Sequence, residues 1–211
     1  MNSALQCLVH VKELTEYFLS QVYKSELNET NPLGMQGLLA KSYGYLIAAL
    51  FNPTFQKPSL PPSEFKKTIG RFAPNFSGFG QQDSQEFLAF VLDGLHEDLN
   101  RVRDKPYVER DELIGVRPTA DQLRELGEKS WHGHKLRNDS VIVDLFFGMY
   151  MSTVVCMICN VVSVKFDPFM DLSVPLPVKQ TYFPYLMLLI IGGNIRTCII
   201  CLGREKWLEW L

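Results

Sequence analysis

Apolar residues recur at intervals of three and four over the first hundred positions, which is the spacing of one helix face. The first run predicts a helix over about residues 3–23. A second run, over residues 35–50, predicts a second helix that ends at a cluster of prolines. Ser63 is the expected cap of a short third helix that ends near Pro74. The N-terminal part of the chain is therefore predicted to be helical.

A fourth run gives the strongest helix signal in the chain. Asp83, with Glu86 three positions later, resembles a capping box with an Asp cap. Behind this cap lies a continuous apolar stripe, made of Phe87, Leu88, Val91, Leu92, Leu95 and Leu99. Such a helix should be a core element. His96 falls on its polar side, where a solvated or locally hydrogen-bonded histidine is expected.

Residues 97–139 are far richer in charged side chains than the rest of the chain, with nearly equal numbers of acidic and basic residues. Because the two signs nearly cancel, this zone is predicted to be a solvated linker and an exposed helix rather than a binding surface. His132 and His134 lie in it and are expected to be solvated or locally hydrogen-bonded. Two such ligands without a third nearby are weak grounds for a metal site.

The pattern changes to that of β-structure from Met149 onward. β-branched runs at 150–155 and 161–166 flank a C-x-x-C segment at 156–159, which predicts a hairpin closed by a knuckle. Residues 168–177 should then be extended, with prolines that suit an edge or a strand end. Helices followed by strands indicate the α+β class.

One later segment raises the question of a membrane. Residues 182–202 are strongly apolar and contain the run Leu186 to Ile191. Gly192 and Gly193 interrupt this run well before the roughly 20 residues that a membrane helix needs. The length favours a buried strand over a membrane span, so no membrane partner is expected.

Composition narrows the class of protein. Hydrophobic residues make up 46% and charged residues 21% of the 211, as in globular proteins. A net charge of −2 does not favour a polyanionic partner such as nucleic acid. Five cysteines, four of them in two C-x-x-C pairs, favour a reducing compartment and metal over disulfides. Since no secretory signal is recognisable, the predicted location is cytoplasmic or nuclear.

Three blocks of the chain resemble, in the same order, the ubiquitin-specific proteases, which are papain-like cysteine deubiquitinases. MNSALQCL, at 1–8, looks like the segment that follows the nucleophile, and GQQDSQEF, at 80–87, resembles the family's second signature. Residues 155–177 resemble the fingers region, where a C-x-x-C hairpin supplies half of a zinc ribbon. Residues 137–147 look most like the large members that carry a long insertion within the catalytic domain.

The resemblance implies an α+β fold, as a fragment of the papain-like catalytic domain over residues 1–178. A helical thumb subdomain would come first, then the charged zone, then the start of the β fingers. The implied boundaries are 1–96 for the thumb, 97–139 for the linker and exposed helix, 140–178 for the fingers and 179–211 for a tail without resemblance.

The resemblance also implies an activity. The family hydrolyses bonds at the C-terminal Gly of ubiquitin through a cysteine thiolate, so ubiquitin and ubiquitinated proteins are the expected partners. The matching nucleophile is expected to precede Met1, and the His and Asp/Asn boxes to follow Leu211. No residue of the chain is therefore assigned a catalytic role, and the chain alone is expected to be inactive.

Cys7 is an unattractive substitute for that nucleophile. It lies within the first predicted helix between apolar neighbours, with only His10 as a loose partner. Because free cysteine is among the most buried residue types, we expect Cys7 to be a buried structural thiol.

Polar residues of the second block are the candidate binding residues. In the family, such residues contact the basic, extended C-terminal tail of ubiquitin, which implies this role for Gln81, Asp83 and Glu86. The alternative is that Asp83 and Glu86 only cap a helix.

The C-x-x-C pairs are the candidate metal ligands. Cys156 and Cys159 have the spacing and flanks of a zinc knuckle, and the alternative is two unpaired buried thiols. A structural zinc site needs four ligands, and Cys198 with Cys201 offers a second pair. The flanks of that second pair do not resemble the family, so a coincidence is an equally good interpretation.

Two other classes of protein remain open on the sequence alone. A non-catalytic ubiquitin-binding protein would use Gln81 and Asp83 without chemistry. A small zinc-dependent interaction module would depend on the two C-x-x-C pairs.

Overall fold

A computed structural model describes the protein in several stretches of chain. Backbone and side chains are described for residues 2–52, 59–115 and 118–173, and the backbone alone for 185–191 and 194–200. The chain divides into two compact units, Met1–Leu172 and Ser173–Leu211.

The first unit begins with helices and ends in a small sheet. Its helices are α1 (Asn2–Val9), α2 (Lys12–Leu19), α3 (Tyr23–Glu26), α4 (Leu38–Leu50), α5 (Ser63–Phe72), a 3-10 turn (Pro74–Phe76), α6 (Ser84–Asp98), α7 (Ala120–Lys135) and α8 (Val141–Phe146). Its strands are β1 (Leu113–Gly115), β2 (Gly148–Val155) and β3 (Val162–Phe169). Mixed helix and antiparallel sheet confirm the α+β class.

The prediction of a single helix over residues 3–23 is wrong, because the first helix ends at Val9. Val11 is extended, with φ −74° and ψ 102°, so the apolar stripe changes direction between α1 and α2. The Thr15 hydroxyl donates to the Val9 carbonyl at 2.7 Å and satisfies one of the acceptors that the end of α1 exposes. Gln21, at φ 61°, ends the second segment in the left-handed region.

The second and third predicted helices are confirmed as α4 and α5. α4 begins only at Leu38, after Gly37 has adopted a left-handed conformation with φ 72°. Ser63 is the first residue of α5 rather than its cap, since Pro62 occupies the cap position and no side chain caps this helix.

The prediction for α6 is confirmed, including its cap. Asp83 Oδ1 accepts from the backbone N–H of Gln85 at 2.7 Å and of Glu86 at 3.3 Å. No return bond from the Glu86 side chain completes a box within the described residues. The predicted stripe lies in the core, with Leu88 partly buried and Phe87, Val91, Leu92, Leu95 and Leu99 buried.

One hydrophobic core holds the helices together. Side chains from α1, α2, α4, α5 and α6 meet in it, and the largest fully buried ones include Tyr43, Phe18, Phe65, Leu14, Leu39 and Ile47. The rings of Phe18 and Tyr43 contact edge to face, with centroids 4.8 Å apart. Burial of these apolar side chains stabilises this part of the fold.

The Asp98 carboxylate joins the end of α6 to the start of α4. Its two oxygens accept four backbone N–H bonds, at 2.6 to 3.2 Å, from Met35, Gly37, Leu39 and Ala40. α4 has no side-chain cap of its own, so Asp98 satisfies donors that its N-terminus would otherwise leave unpaired. Burial raises the pKa of the Asp98 carboxyl, and the four N–H donors oppose that effect.

The charged zone contains more regular structure than predicted. The exposed helix is α7, whose Thr119–Gln122 capping box starts it and whose Gly127 lies against the ring of Phe166 on β3. β1, which the sequence pattern did not indicate, pairs antiparallel with β3, so that Leu113 lies opposite Val164. The zone is thus attached to the sheet at two places.

His96 does not lie on a polar side of α6, because α8 covers that side. The His96 side chain is 4% exposed, and its Nδ1 lies 2.8 Å from Ser140 Oγ. His134 is partly buried between the rings of Trp131 and Phe147, with which it stacks. His132 is exposed, as expected for this zone.

The predicted hairpin is confirmed and extends further than expected. β2 and β3 pair from Val155 opposite Val162 to Gly148 opposite Phe169, and the sheet order is β1-β3-β2. Residues 171–173 follow without regular structure, and the rest of the predicted extended piece, 174–177, lies outside the described residues.

The second unit contains one described hairpin. β4 (Tyr185–Ile191) and β5 (Asn194–Ile200) pair antiparallel, with Ile191 opposite Asn194. The strand predicted for the apolar run is confirmed, while its predicted burial lies outside the described residues. Among the helices that the structure describes, none has the length and apolar character needed to cross a membrane.

Candidate functional site

The three predicted binding residues lie together at the N-terminus of α6. Gln81, Asp83 and Glu86 are all exposed. Both cap bonds of Asp83 go to Oδ1, so its Oδ2 has no hydrogen-bond partner in the described part of the chain. The N-terminus of a helix also favours the approach of negatively charged groups such as this carboxylate. The site therefore offers carboxylate and amide groups to a ligand with cationic or N–H donors.

An apolar cavity of about 280 Å³ adjoins this helix end. It lies between α1, α5 and α6, and its walls are Asn2, Leu5, Pro62, Phe65, Lys66, Ile69, Phe76 and Phe87. The rings of Phe76 and Phe87 meet edge to face there, with centroids 5.4 Å apart. Because Asn2 begins α1 and Phe87 lies in the first turn of α6, the N-terminal ends of these two helices line the same cavity.

An exposed aromatic ring stands directly before the box. Phe79, between Gly78 and Gly80, is fully exposed at 101% of its reference area. Lys66 Nζ, from α5, lies 4.0 Å from the centre of its ring. Sequence reasoning missed Phe79, although a large apolar residue between two glycines beside a predicted binding segment is a readable signal.

A side-chain bond ties the start of α6 to the segment that follows β3. Gln85 Nε2 donates to Asp171 Oδ2 at 3.3 Å, across 86 residues of sequence. Together with the Asp83 cap, this contact restrains the first turn of α6 from both sides. Neither partner is buried, so the bond orients the helix end more than it stabilises the fold.

A polar network holds the opposite end of α6. Asn100 accepts from Asp139 N at 3.1 Å and donates to the Arg137 carbonyl at 3.2 Å, while Arg101 Nε lies 3.1 Å from Glu26. Burial lowers the pKa of His96, which the same network encloses. Sequence reasoning missed this network because its members are far apart in the chain.

Cys7 is exposed, so the prediction of a buried thiol is wrong. The buried residues of α1 are Ala4, Leu5 and Leu8, and Cys7 points away from them. His10 Nδ1 is bonded to the Gln6 carbonyl at 2.6 Å, and no described residue hydrogen-bonds to the Cys7 thiol. The geometry gives Cys7 no base that could activate it as a nucleophile.

Cys156 and Cys159 occupy the turn between β2 and β3, and both are exposed, which rules out the alternative of buried thiols. Asn160, at φ 56°, closes the turn by donating to the Cys156 carbonyl at 2.9 Å. Hydrogen bonds from the backbone N–H groups of Cys159 and Ile158 lower the pKa of the Cys156 thiol. A thiol whose pKa is lowered in this way suits a metal ligand.

The described residues supply only this pair to a metal. No group of three or more His, Cys, Asp and Glu side chains that could hold an ion occurs among them. Cys198 lies on β5, where the backbone alone is described, and Cys201 lies outside the described residues. The two thiols fit half of a tetrahedral zinc site.

Comparison with known proteins identifies the family. The model of the ubiquitin carboxyl-terminal hydrolase family matches residues 1–186. The chain is 54% identical over 180 residues to ubiquitin carboxyl-terminal hydrolase 4 of Mus musculus and 52% identical over 180 residues to ubiquitin carboxyl-terminal hydrolase 15 of Homo sapiens. Each match covers 85% of this chain and 18% of the relative, so the chain spans about a fifth of their length. The chain belongs to the ubiquitin carboxyl-terminal hydrolase family.

Proposed function

We propose that the chain forms part of a cysteine-type deubiquitinase, which hydrolyses bonds at the C-terminal Gly of ubiquitin. Family membership supports this reaction, and its partners would be ubiquitin and ubiquitinated proteins. The observation that carries the proposal is the free Asp83 Oδ2, exposed at the start of α6 beside Gln81 and Glu86. These groups suit a basic, extended peptide such as the tail of ubiquitin.

In such a reaction a thiolate attacks the carbonyl carbon of the last Gly, the amine leaves, and water hydrolyses the acyl-enzyme. None of the 211 residues is proposed as that nucleophile or as its base. The proposed task of Gln81, Asp83 and Glu86 is to hold the tail. The cavity shared by α1 and α6 supports this arrangement, because a tail held at α6 would lie near the start of α1.

A ubiquitin titration with charge-reversal variants tests the proposed contact. Asp83→Arg should weaken binding of isotope-labelled ubiquitin by NMR at least about tenfold, because attraction of the basic tail becomes repulsion. Asp93→Arg is the matched control, since Asp93 is an exposed residue of the same helix, about 15 Å further along. Equal weakening by both variants, or no binding by the unaltered chain, would overturn the proposal.

Turnover is a separate measurement on the same material. The 211-residue chain is expected to release no fluorophore from a ubiquitin C-terminal conjugate, because no catalytic residue is assigned within it. Release that disappears in Cys7→Ser would contradict this expectation.

We also propose that Cys156 and Cys159 are two ligands of a structural zinc in a zinc ribbon. Their turn geometry and the lowered pKa of the Cys156 thiol support this role. A cytoplasmic or nuclear location is proposed as well, because free thiols persist in reducing compartments. The net charge of −2 favours no nucleic-acid partner.

A further inference from the structure

Phe79 is the most exposed large apolar side chain of the described residues. It stands on a loop between Gly78 and Gly80, and a Cβ added at Gly80 would meet nothing within 4 Å. Large apolar side chains without neighbours are unfavourable in water and mark recognition surfaces when they adjoin a binding site. Phe79 adjoins Gln81 and Asp83 in the sequence.

A cation from the same chain already lies over the Phe79 ring. Lys66 Nζ lies 4.0 Å from the ring centre, within the range of a cation–π interaction. The stem of Lys66 lines the apolar cavity next to Phe65 and Phe76, so the ammonium reaches the ring from the rim of that cavity. Because Phe79 remains fully exposed, Lys66 covers little of its surface.

The segment that follows Phe79 in the sequence carries unpaired negative charge. Asp83 and Glu86 are exposed, and neither takes part in a salt bridge among the described residues. An aromatic face beside free carboxylates is complementary to a cationic side chain. A basic peptide held by the carboxylates would bring its own cations to the ring.

We propose that Phe79 is a cation–π subsite for a basic side chain of the ubiquitin tail, and that Lys66 occupies this subsite when ubiquitin is absent. The inference rests on the proposed function and adds a residue to its binding site. Lys66 then competes with the incoming side chain for the face of the Phe79 ring that Lys66 occupies. Removing the Lys66 charge should therefore strengthen binding by more than the loss of one positive charge elsewhere on α5 would.

The ring is tested by substitutions that separate aromatic from apolar character. Phe79→Leu keeps an apolar side chain without a π face and should raise the Kd for ubiquitin about two- to fivefold. Phe79→Trp should restore or tighten binding, since indole is the strongest cation–π partner. Both changes are at an exposed position, so the fold should persist, which circular dichroism checks.

The role of Lys66 as a competitor is tested by a matched pair of substitutions on α5. Lys66→Met keeps the stem in the cavity and should lower the Kd about two- to threefold. Lys67→Met removes the same charge at an exposed neighbouring position and should leave the Kd unchanged or slightly lower. Equal effects of the two variants would mean that only the overall electrostatic potential of the protein changed. That result would contradict competition between Lys66 and the ligand for the Phe79 ring.

Ubiquitin with its tail arginines replaced by glutamine completes the test. With this ubiquitin, Phe79→Leu should have no further effect, because the cation that the ring would bind is gone. If Asp83→Arg weakens binding while the Phe79 and Lys66 variants do not change it, the subsite is wrong and the proposed function stands. If Asp83→Arg has no effect, or the unaltered chain does not bind ubiquitin, both the Phe79 subsite and the proposed function are wrong.

Discussion

At the scale of single residues, His96 is a buried side chain, and burial disfavours its protonated, charged form. Burial lowers its pKa, while Glu97 and Asp93 act in the opposite direction and Lys105 adds to the lowering. His134, on α7, faces it, and its pKa is also lowered, by burial and by His96. Both rings are therefore neutral in the folded state at neutral pH.

This arrangement predicts that acid destabilises the fold before the carboxylates titrate. Because the pKa of His96 is below 6.5 when folded, the unfolded chain binds more protons as the pH falls below about 6.5. The contribution of His96 to the free energy of unfolding should then drop by up to about 1.4 kcal/mol per pH unit until its folded-state pKa is reached, and His134 should add a loss of the same sign. Urea denaturation between about pH 7.5 and 5.5 measures this loss.

The matched variants are His96→Gln and His132→Gln. The first removes one of the two buried histidines and should reduce the pH dependence over this range, leaving the part that is due to His134. The second changes an exposed histidine and should leave the slope as it is. A slope that survives His96→Gln unchanged contradicts the assignment of the effect to His96.

Single residues also mark the limit of sequence reasoning. The Asp83 cap was predictable because a cap depends only on its own helix end. Cys7 has apolar neighbours in sequence, but two residues along a helix is about 200° around its axis from Leu5, and it faces solvent. His96 is buried because α8 covers the far side of α6, and the pattern of α6 alone carries no information about α8.

At the scale of elements, long periodic runs were predictable and short or divided ones were not. The β2–β3 hairpin and α4, α5 and α6 follow directly from their hydrophobic patterns. The break between α1 and α2 involves the extended Val11 and a bond from Thr15 to Val9, which periodicity does not register. β1 has three residues, too few for a period-two pattern, and exists because β3 offers it an edge.

The β2–β3 turn leads to a prediction about zinc. The purified chain should contain zinc, and Cys156→Ser should abolish it, because Cys156 is one of the two proposed ligands and backbone N–H groups of the turn lower the pKa of its thiol. Chelation should lower the Tm of the unaltered chain by several degrees but not that of Cys156→Ser. Elemental analysis and thermal denaturation measure the two effects.

Cys7→Ser is the control for this zinc experiment, since Cys7 is another exposed free thiol and lies on α1. It should keep the zinc content and the response to chelator. Zinc retained by Cys156→Ser, or lost equally in Cys7→Ser, would show that the turn is not the binding site.

At the scale of the whole molecule, cooperativity depends on contacts between distant parts of the chain. Asp98 bonds to donors 58 to 63 residues earlier, so it holds the start of α4 and the end of α6 in one unit. These contacts arise only once both helices have formed, which is why no local pattern predicts them. The family and the α+β class, in contrast, follow from motifs that are each local in sequence.

Asp98→Asn should therefore lower the free energy of global unfolding by about 3 kcal/mol or more. The amide replaces one acceptor oxygen by a donor that faces backbone N–H groups, which leaves buried donors unpaired. Asp93→Asn, an exposed change on the same helix, should shift it by less than about 0.5 kcal/mol. Chemical denaturation compares the two, and similar stabilities would contradict the role of Asp98.

α6 carries the proposed tail-contact residues at one end and the buried network of Asp98 and His96 at the other, and its 15 residues span about 22 Å. A change of packing at Asp98 and His96 would tilt the helix about that end, which would then act as a fulcrum. A tilt of only about 3° at that fulcrum moves Asp83 by about 1 Å, a displacement large enough to impair the positioning of a reacting group. The position of the proposed binding residues therefore also depends on residues that do not touch the ligand.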